Sequence, residues 1–338
     1  MAPPPPHAGR RQRPPPHIRR RRATVIVTLG VVAAAAIWAH SDRSDAKRLP
    51  SRTSTAARAG QTAGSGTPVA SAGFSPGACM SYPPGAGDRH GTVFLDAGHG
   101  GIDPGATGTT ESGATIHEAD LTLSVVLDTV PLLQAQGFRV VVSRTEATSV
   151  ARLAADDVSQ EALSVQGVHD DVAARDVCAN MAGATILLGV YFDAGASADN
   201  AGSVTAYDAV RPFAAANRRL ASLVQTDVLA SLNAHGWAIP NDGVVSDVSL
   251  GGPALSAASA AYGHLLLLGP AMNGYFATPS QMPGALIEPL FITDPFEGSI
   301  AASPAGQHAI AAGLAQAVGQ YFSPLLPNAQ RHAVPPTH

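Results

Sequence analysis

The chain has 338 residues, 45% of them hydrophobic and 14% charged, a balance that excludes a wholly disordered protein. Its 34 Gly and 27 Pro follow no three-residue period, which excludes collagen. The net charge of −4 hides an asymmetry: residues 1–22 hold seven arginines and no acid, so the remaining 14 cations face 25 anions.

Residues 1–22 read as a Pro/Arg-rich cytoplasmic tail. From Ala23 to Ala39 the chain carries no charge for 17 residues, about 25 Å of helix, at the short limit for crossing a bilayer. Arginines before this segment and not after it predict an N-terminus inside and the rest outside. The small residues Ala34-Ala35-Ala36 equally suit signal-peptide cleavage, so a transmembrane anchor and a cleaved segment both stay open. Either exports the domain. The apolar segment directly after the basic run turns that run toward a membrane and away from nucleic acid.

Residues 40–73, rich in Ser, Thr, Ala and Gly, read as a flexible linker. A single folded domain is expected over 74–322, followed by a disordered tail over 323–338 with four prolines. Cys79 and Cys178 are the two cysteines. In an exported chain they suggest one disulfide, two buried free thiols being the alternative. Their separation of 99 positions is no zinc-finger spacing.

Strand patterns fall at Thr92 to Asp96, Phe138 to Ser143, Thr185 to Phe192, Val204 to Tyr207, Leu265 to Leu268 and Ala285 to Leu290. Helical spacing falls between them, at Glu118 to Gln136, Val168 to Ala182, Ala214 to Ala234 and Ala305 to Phe322. Pro131 is expected to kink or end the first helix early. Such alternation predicts an α/β fold, a single layered domain whose mostly parallel or mixed central sheet of about six strands is flanked by helices.

Ligands in such sheets sit at the carboxyl ends of the strands. The loop after the first of these strands reads Asp96-Ala-Gly-His99-Gly-Gly-Ile-Asp103-Pro-Gly-Ala106-Thr-Gly108. It matches neither nucleotide-binding fingerprint and sets two aspartates where phosphate would meet negative charge. The glycines around His99 point to a metal ligand. No G-x-S-x-G elbow appears, and neither cysteine has a neighbouring base in sequence.

The loop resembles the opening motif of zinc-dependent N-acetylmuramoyl-L-alanine amidases, bacterial cell-wall hydrolases, and the likeness continues in order from Thr92 to Phe322. It takes in Glu118 opening a helix, Ser143-Arg144-Thr145 ending a strand, Arg175 to Asn180 (RDVCAN), Asn241 to Val244 (NDGV) and the closing run ALIEPLFITDPFEG over 285–298. The resemblance implies hydrolysis of the amide between N-acetylmuramic acid and L-alanine in peptidoglycan, with one zinc ion. His99 and Glu118 match its first two zinc ligands, and Glu288 its catalytic carboxylate. Where the family carries its third ligand, a histidine, this chain has Tyr191 in LGVYFD. Tyr191 itself, ionised with the metal's help, or Asp193, which projects to the same strand face, is the substitute candidate. His117 and His169 are further candidates; His90, His235, His264 and His308 read as surface or ordinary packing.

Two readings follow: a membrane-tethered or secreted zinc amidase facing the cell wall, and a metal-free relative that binds peptidoglycan or regulates its hydrolysis. Peptidoglycan is the partner in both, and a protein activator remains open. The excursion from Ser256 to Gly284 is longer than the family usual and reads equally as a lid over the cleft or as a partner surface.

Overall fold

The computed structural model describes residues 66–85, 87–250, 258 and 262–323. The tail at 1–22, the apolar segment at 23–39, the linker up to residue 65 and the tail from residue 324 lie outside them. Among the described residues no helix is long and apolar enough to cross a membrane.

In chain order the elements are β1 (Thr67–Pro68), β2 (Ala78–Tyr82), β3 (Thr92–Ala97), the hairpin β4 (Thr107–Thr109) and β5 (Thr115–His117), α1 (Glu118–Ala135) and β6 (Arg139–Arg144). A second hairpin, β7 (Val158–Ser159) and β8 (Ala162–Leu163), precedes α2 (Val165–Met181) and β9 (Ile186–Val190). Then come β10 (Ser203–Tyr207), α3 (Ala214–Asn233), β11 (Asn241–Ser246), β12 (Gly284–Glu288), α4 (Pro295–Ala302) and α5 (Pro304–Tyr321).

Eight strands form the main sheet in the order β1-β2-β6-β3-β9-β12-β10-β11. The central four, β6, β3, β9 and β12, run parallel. Antiparallel β1 and β2 close one edge; at the other, β10 runs against β12 and β11 runs parallel to β10. The layered α/β expectation therefore holds with eight strands in place of about six. The additions are the edge strands β1 and β2 and the half-exposed β11, all too short or too polar to show a strand period. Pairing of Thr67 with Ser81 brings chain ahead of Phe74 into the sheet.

Strand side chains alternate between two cores. Val93, Leu95, Ala97, Val140, Val142, Ile186 and Leu188 pack beneath α1, α3 and α5. Phe94, Val141, Leu187 and Leu286 face α2 and the disulfide between Cys79 and Cys178, which joins β2 to α2. Each large apolar side chain fully buried here contributes about 1.5–3 kcal/mol.

Two expectations are corrected. Leu265 to Leu268 is a turn, not a strand: Leu268 and Gly269 both donate backbone bonds to the Leu265 carbonyl. An unbroken apolar run says only that the residues are buried, and here Leu265, Leu267 and Leu268 cover the α2 face of the sheet. Helix α1 also continues through Pro131 to Ala135. Val130 and Leu133 on either side are buried, and their packing offsets the one missing amide bond. Part of the described 256–284 excursion also joins the core: Tyr262, Leu266 and Phe276 pack on Val168 and Val172 of α2, and the Asn180 side chain donates to the Pro279 carbonyl and accepts from the Gln281 amide.

Candidate active site

The carboxyl end of β3 leads into the Gly98–Gly101 turn, where His99 adopts a φ of 59°. A residue with a Cβ holds this left-handed conformation only when its surroundings impose it. Two buried arginines do so. Arg175 donates to the carbonyls of Ala97 (2.7 Å) and His99 (2.9 Å), and Arg144 to those of Ala97 (3.1 Å) and Gly98 (2.9 Å). Arg175 is neutralised by Asp96 at 2.7 Å and Asp171 at 2.6 Å. Arg144 bonds chiefly to carbonyls, and burial together with the Arg175 charge lowers its pKa to about 10.

The His99 ring is fixed at both nitrogens. Nδ1 lies 2.8 Å from Asp103 Oδ2, and Nε2 lies 3.2 Å from Glu118 Oε2. Burial alone would lower the imidazole pKa, but Glu118 and Asp103 outweigh it and raise it to about 10. Glu118 opens α1 and is buried; its Oε1 accepts from Phe192 N and its Oε2 from Ala106 N, each at 2.9 Å. Gly105, at φ +65°, makes room for the pair, since a Cβ there would stand 2.7 Å from both Glu118 Oε2 and the His99 ring.

Two strands complete the floor. Just past β9, the Tyr191 hydroxyl donates to Asp96 Oδ2 at 3.0 Å, and its ring meets His99 edge-on at 5.4 Å between centroids. Burial and the Asp96 charge hold the phenol well above its ordinary pKa. Asp193 is 2% exposed; its Oδ1 accepts from Ala194 N, no N–H or hydroxyl reaches its Oδ2, and burial raises its pKa to about 6. Glu288, ending β12, is 3% exposed; no N–H or hydroxyl reaches its Oε2, and its carboxyl shares a hydrogen bond with that of Asp193. Burial, then Asp193 and Glu118, push it well above the usual carboxylate range. Neither Arg144 nor Arg175 pairs with Glu288.

The structure therefore gathers His99, Glu118, Tyr191, Asp193 and Glu288 around one end of the sheet. It separates the other candidates. His117 is exposed and faces Thr107, and His169 lies between Asp170 and the Tyr275 carbonyl. Asp96 and Asp103 are the positioning residues that sequence reading passed over; Asp103 lay four places beyond His99 in the same loop, a readable signal.

One imidazole nitrogen and one carboxylate oxygen 3.2 Å apart fit a divalent cation in type and spacing. They are one protein ligand short of a catalytic zinc site. Tyr191 is committed to Asp96 as a neutral phenol, and among the described residues no third His, Cys, Asp or Glu donor converges on the pair. The described triplet that does converge, within 4.8 Å, is Asp208, Asp247 and His264, in another part of the domain.

The sequence pattern of the N-acetylmuramoyl-L-alanine amidase family (Amidase_3) matches residues 93–320. Among solved structures, the CwlD amidase of Clostridioides difficile, in complex with the GerS lipoprotein, is 19% identical over 69% of this chain and 98% of its own, with a TM-score of 0.51. AmiC2 of Nostoc punctiforme is 20% identical over 70% of this chain and 99% of its own, at 0.48. An amidase of Clostridium difficile 630 is 24% identical over 69% and 96%, also at 0.48. No curated protein matches the chain.

Proposed function

Because the chain belongs to the N-acetylmuramoyl-L-alanine amidase family, we propose that it hydrolyses the amide bond between N-acetylmuramic acid and the first L-alanine of the peptidoglycan stem. The observation that carries this reading is Glu288, buried against Asp193 and beside His99 and Glu118. Two buried carboxyls facing each other with no cationic side chain paired to them are costly to retain, and a proton carrier at the scissile bond gives them a use.

His99 and Glu118 would hold the zinc in this reading, with Asp193 as the further candidate oxygen donor. Zinc polarises an amide carbonyl and acidifies bound water. The chain's own residues do the rest. Asp103 fixes the His99 ring through Nδ1, so that Nε2 is the nitrogen turned to Glu118. Glu288 holds its proton readily and delivers it to the leaving amine; positive charge at the pair lowers its pKa toward the range where it accepts a proton from water. Export through the 23–39 segment, cleaved or retained as an anchor, places this chemistry at the cell wall.

The bond between Tyr191 and Asp96 favours a second reading, a relative that binds peptidoglycan without cutting it. Incubating the full chain and its Glu288→Gln variant with purified peptidoglycan, and measuring free stem peptide by mass spectrometry, separates the two. Release by the parent and none by the variant is the amidase result. Co-sedimentation with intact peptidoglycan and no release from either sinks it and leaves the binding reading.

A further inference from the structure

Asp208, Asp247 and His264 meet at the opposite end of the sheet from Glu288. Because β10 runs against β12 with Ala206 opposite Leu286 and Val204 opposite Glu288, Asp208 falls beside Gly284. Four residues of strand, about 13 Å, separate it from Glu288. Asp247 follows the parallel strand β11, and His264 arrives from the 256–284 excursion.

Both aspartates are fully buried, and the His264 side chain is 19% exposed. Its Nδ1 stands 2.9 Å from Asp247 Oδ2 and 3.1 Å from Asp208 Oδ2. One ring nitrogen carries at most one hydrogen, so it satisfies one of these oxygens. Asp208 Oδ2 is the one left buried and without a hydrogen-bond partner, while Oδ1 of the same carboxylate takes the amides of Val210 and Arg211. The nearby cation does not repair this, because Arg211 donates to the carbonyls of Gly269 and Ser280. Asp176 adds a third fully buried carboxyl to the same neighbourhood. The oxygens of Asp208 and Asp247 thus share one imidazole nitrogen where a cation would serve both.

We propose that Asp208, Asp247 and His264 bind a divalent cation of the zinc class that clips the excursion to the ends of β10 and β11. One imidazole nitrogen and two carboxylate oxygens form a mixed set suited to zinc, whose donors in a tetrahedral site lie about 3.3 Å apart. Outward movement of a few tenths of an ångström brings the observed spacings to that value. Three protein donors leave the fourth position of a tetrahedral site to water. This cation satisfies Asp208 Oδ2 and Asp247 Oδ2 together, which the imidazole alone does not.

The test uses the full chain with His99→Ala and Glu118→Ala, which removes the other pair of donors. After chelation, exposure to zinc and desalting, metal content is read by mass spectrometry and Tm is followed with and without zinc. One zinc per chain and a zinc-dependent rise in Tm are expected, both lost on adding His264→Ala or the near-isosteric Asp208→Asn, with circular dichroism verifying that the variants fold. No zinc in the His99/Glu118 background overturns the proposal, as does zinc that survives both further substitutions.

Discussion

The Tyr191 hydroxyl donates to Asp96 Oδ2 at 3.0 Å, and the other oxygen of that carboxylate receives Arg175 at 2.7 Å. Tyr191 is therefore tied into the arginine network that shapes the His99 turn. Replacing it by histidine, Tyr191→His, adds a nitrogen donor at the end of β9. Desalted protein should retain one zinc more per chain than the parent, and release of stem peptide should rise at least about tenfold, roughly 1.4 kcal/mol of transition-state stabilisation. The lost bond to Asp96 should cost about 1 kcal/mol in stability. Equal zinc and equal release in parent and variant would show that Tyr191 is not what limits the site.

Gly105 offers a steric test of the same pair. A methyl group there meets Glu118 Oε2 and the His99 ring at 2.7 Å on a backbone of φ +65°. Gly105→Ala should lower stability by more than about 1 kcal/mol and reduce stem-peptide release along with it. Denaturant titration beside the release assay checks both; unaltered release would mean that the spacing of His99 and Glu118 does not matter to turnover.

Glu297 on α4 sets a pH dependence away from the site. Its carboxylate is 1% exposed and accepts from the amides of Gly202 and Phe291, and burial raises its pKa from 4.5 to about 7. Between these values the folded chain binds more protons than the unfolded chain. This group's stabilising contribution is therefore full below pH 4.5 and lost as pH rises through 7. The parent should lose more stability between pH 5 and pH 8 than Glu297→Gln, which carries no titrating proton there. Parallel slopes in urea titrations at the two pH values would contradict the assignment.

Removing the disulfide should act through the unfolded state. Closing a loop of about 100 residues withdraws up to about 4.7 kcal/mol of chain entropy from that state. The Cys79→Ala, Cys178→Ala double variant should lose about 2–5 kcal/mol, as should the parent on reduction. Calorimetry with and without reductant measures it, and a parent indifferent to reductant would count against the bond as a stabiliser.

The layered fold was legible because buried parallel strands and amphipathic helices repeat with different periods. Short edge strands such as β1 carry no such period, and the leucines at 265–268 announce burial without direction. His99, Glu118 and Glu288 were readable because glycines, a helix start and a strand end surround them in fixed order. The bond from Tyr191 to Asp96 was not, since it spans 95 positions and depends on the register between β3 and β9. The same holds for His264, which read as ordinary packing. Only the reversal of β10 against β12 reveals which two carboxylates it meets.

The disulfide also fixes how the domain bears load. Sixty-five residues precede the described chain, and tension arriving along them first meets β1, a two-residue edge strand held only by β2. That strand peels easily. The next resistance is at Phe74 and Ser75, which bond to Ala151 and Val150, and beyond them at Cys79, where the pull passes across the sulfur bridge into α2. A tug from the N-terminal side therefore meets a covalent junction before it reaches β6 and β3.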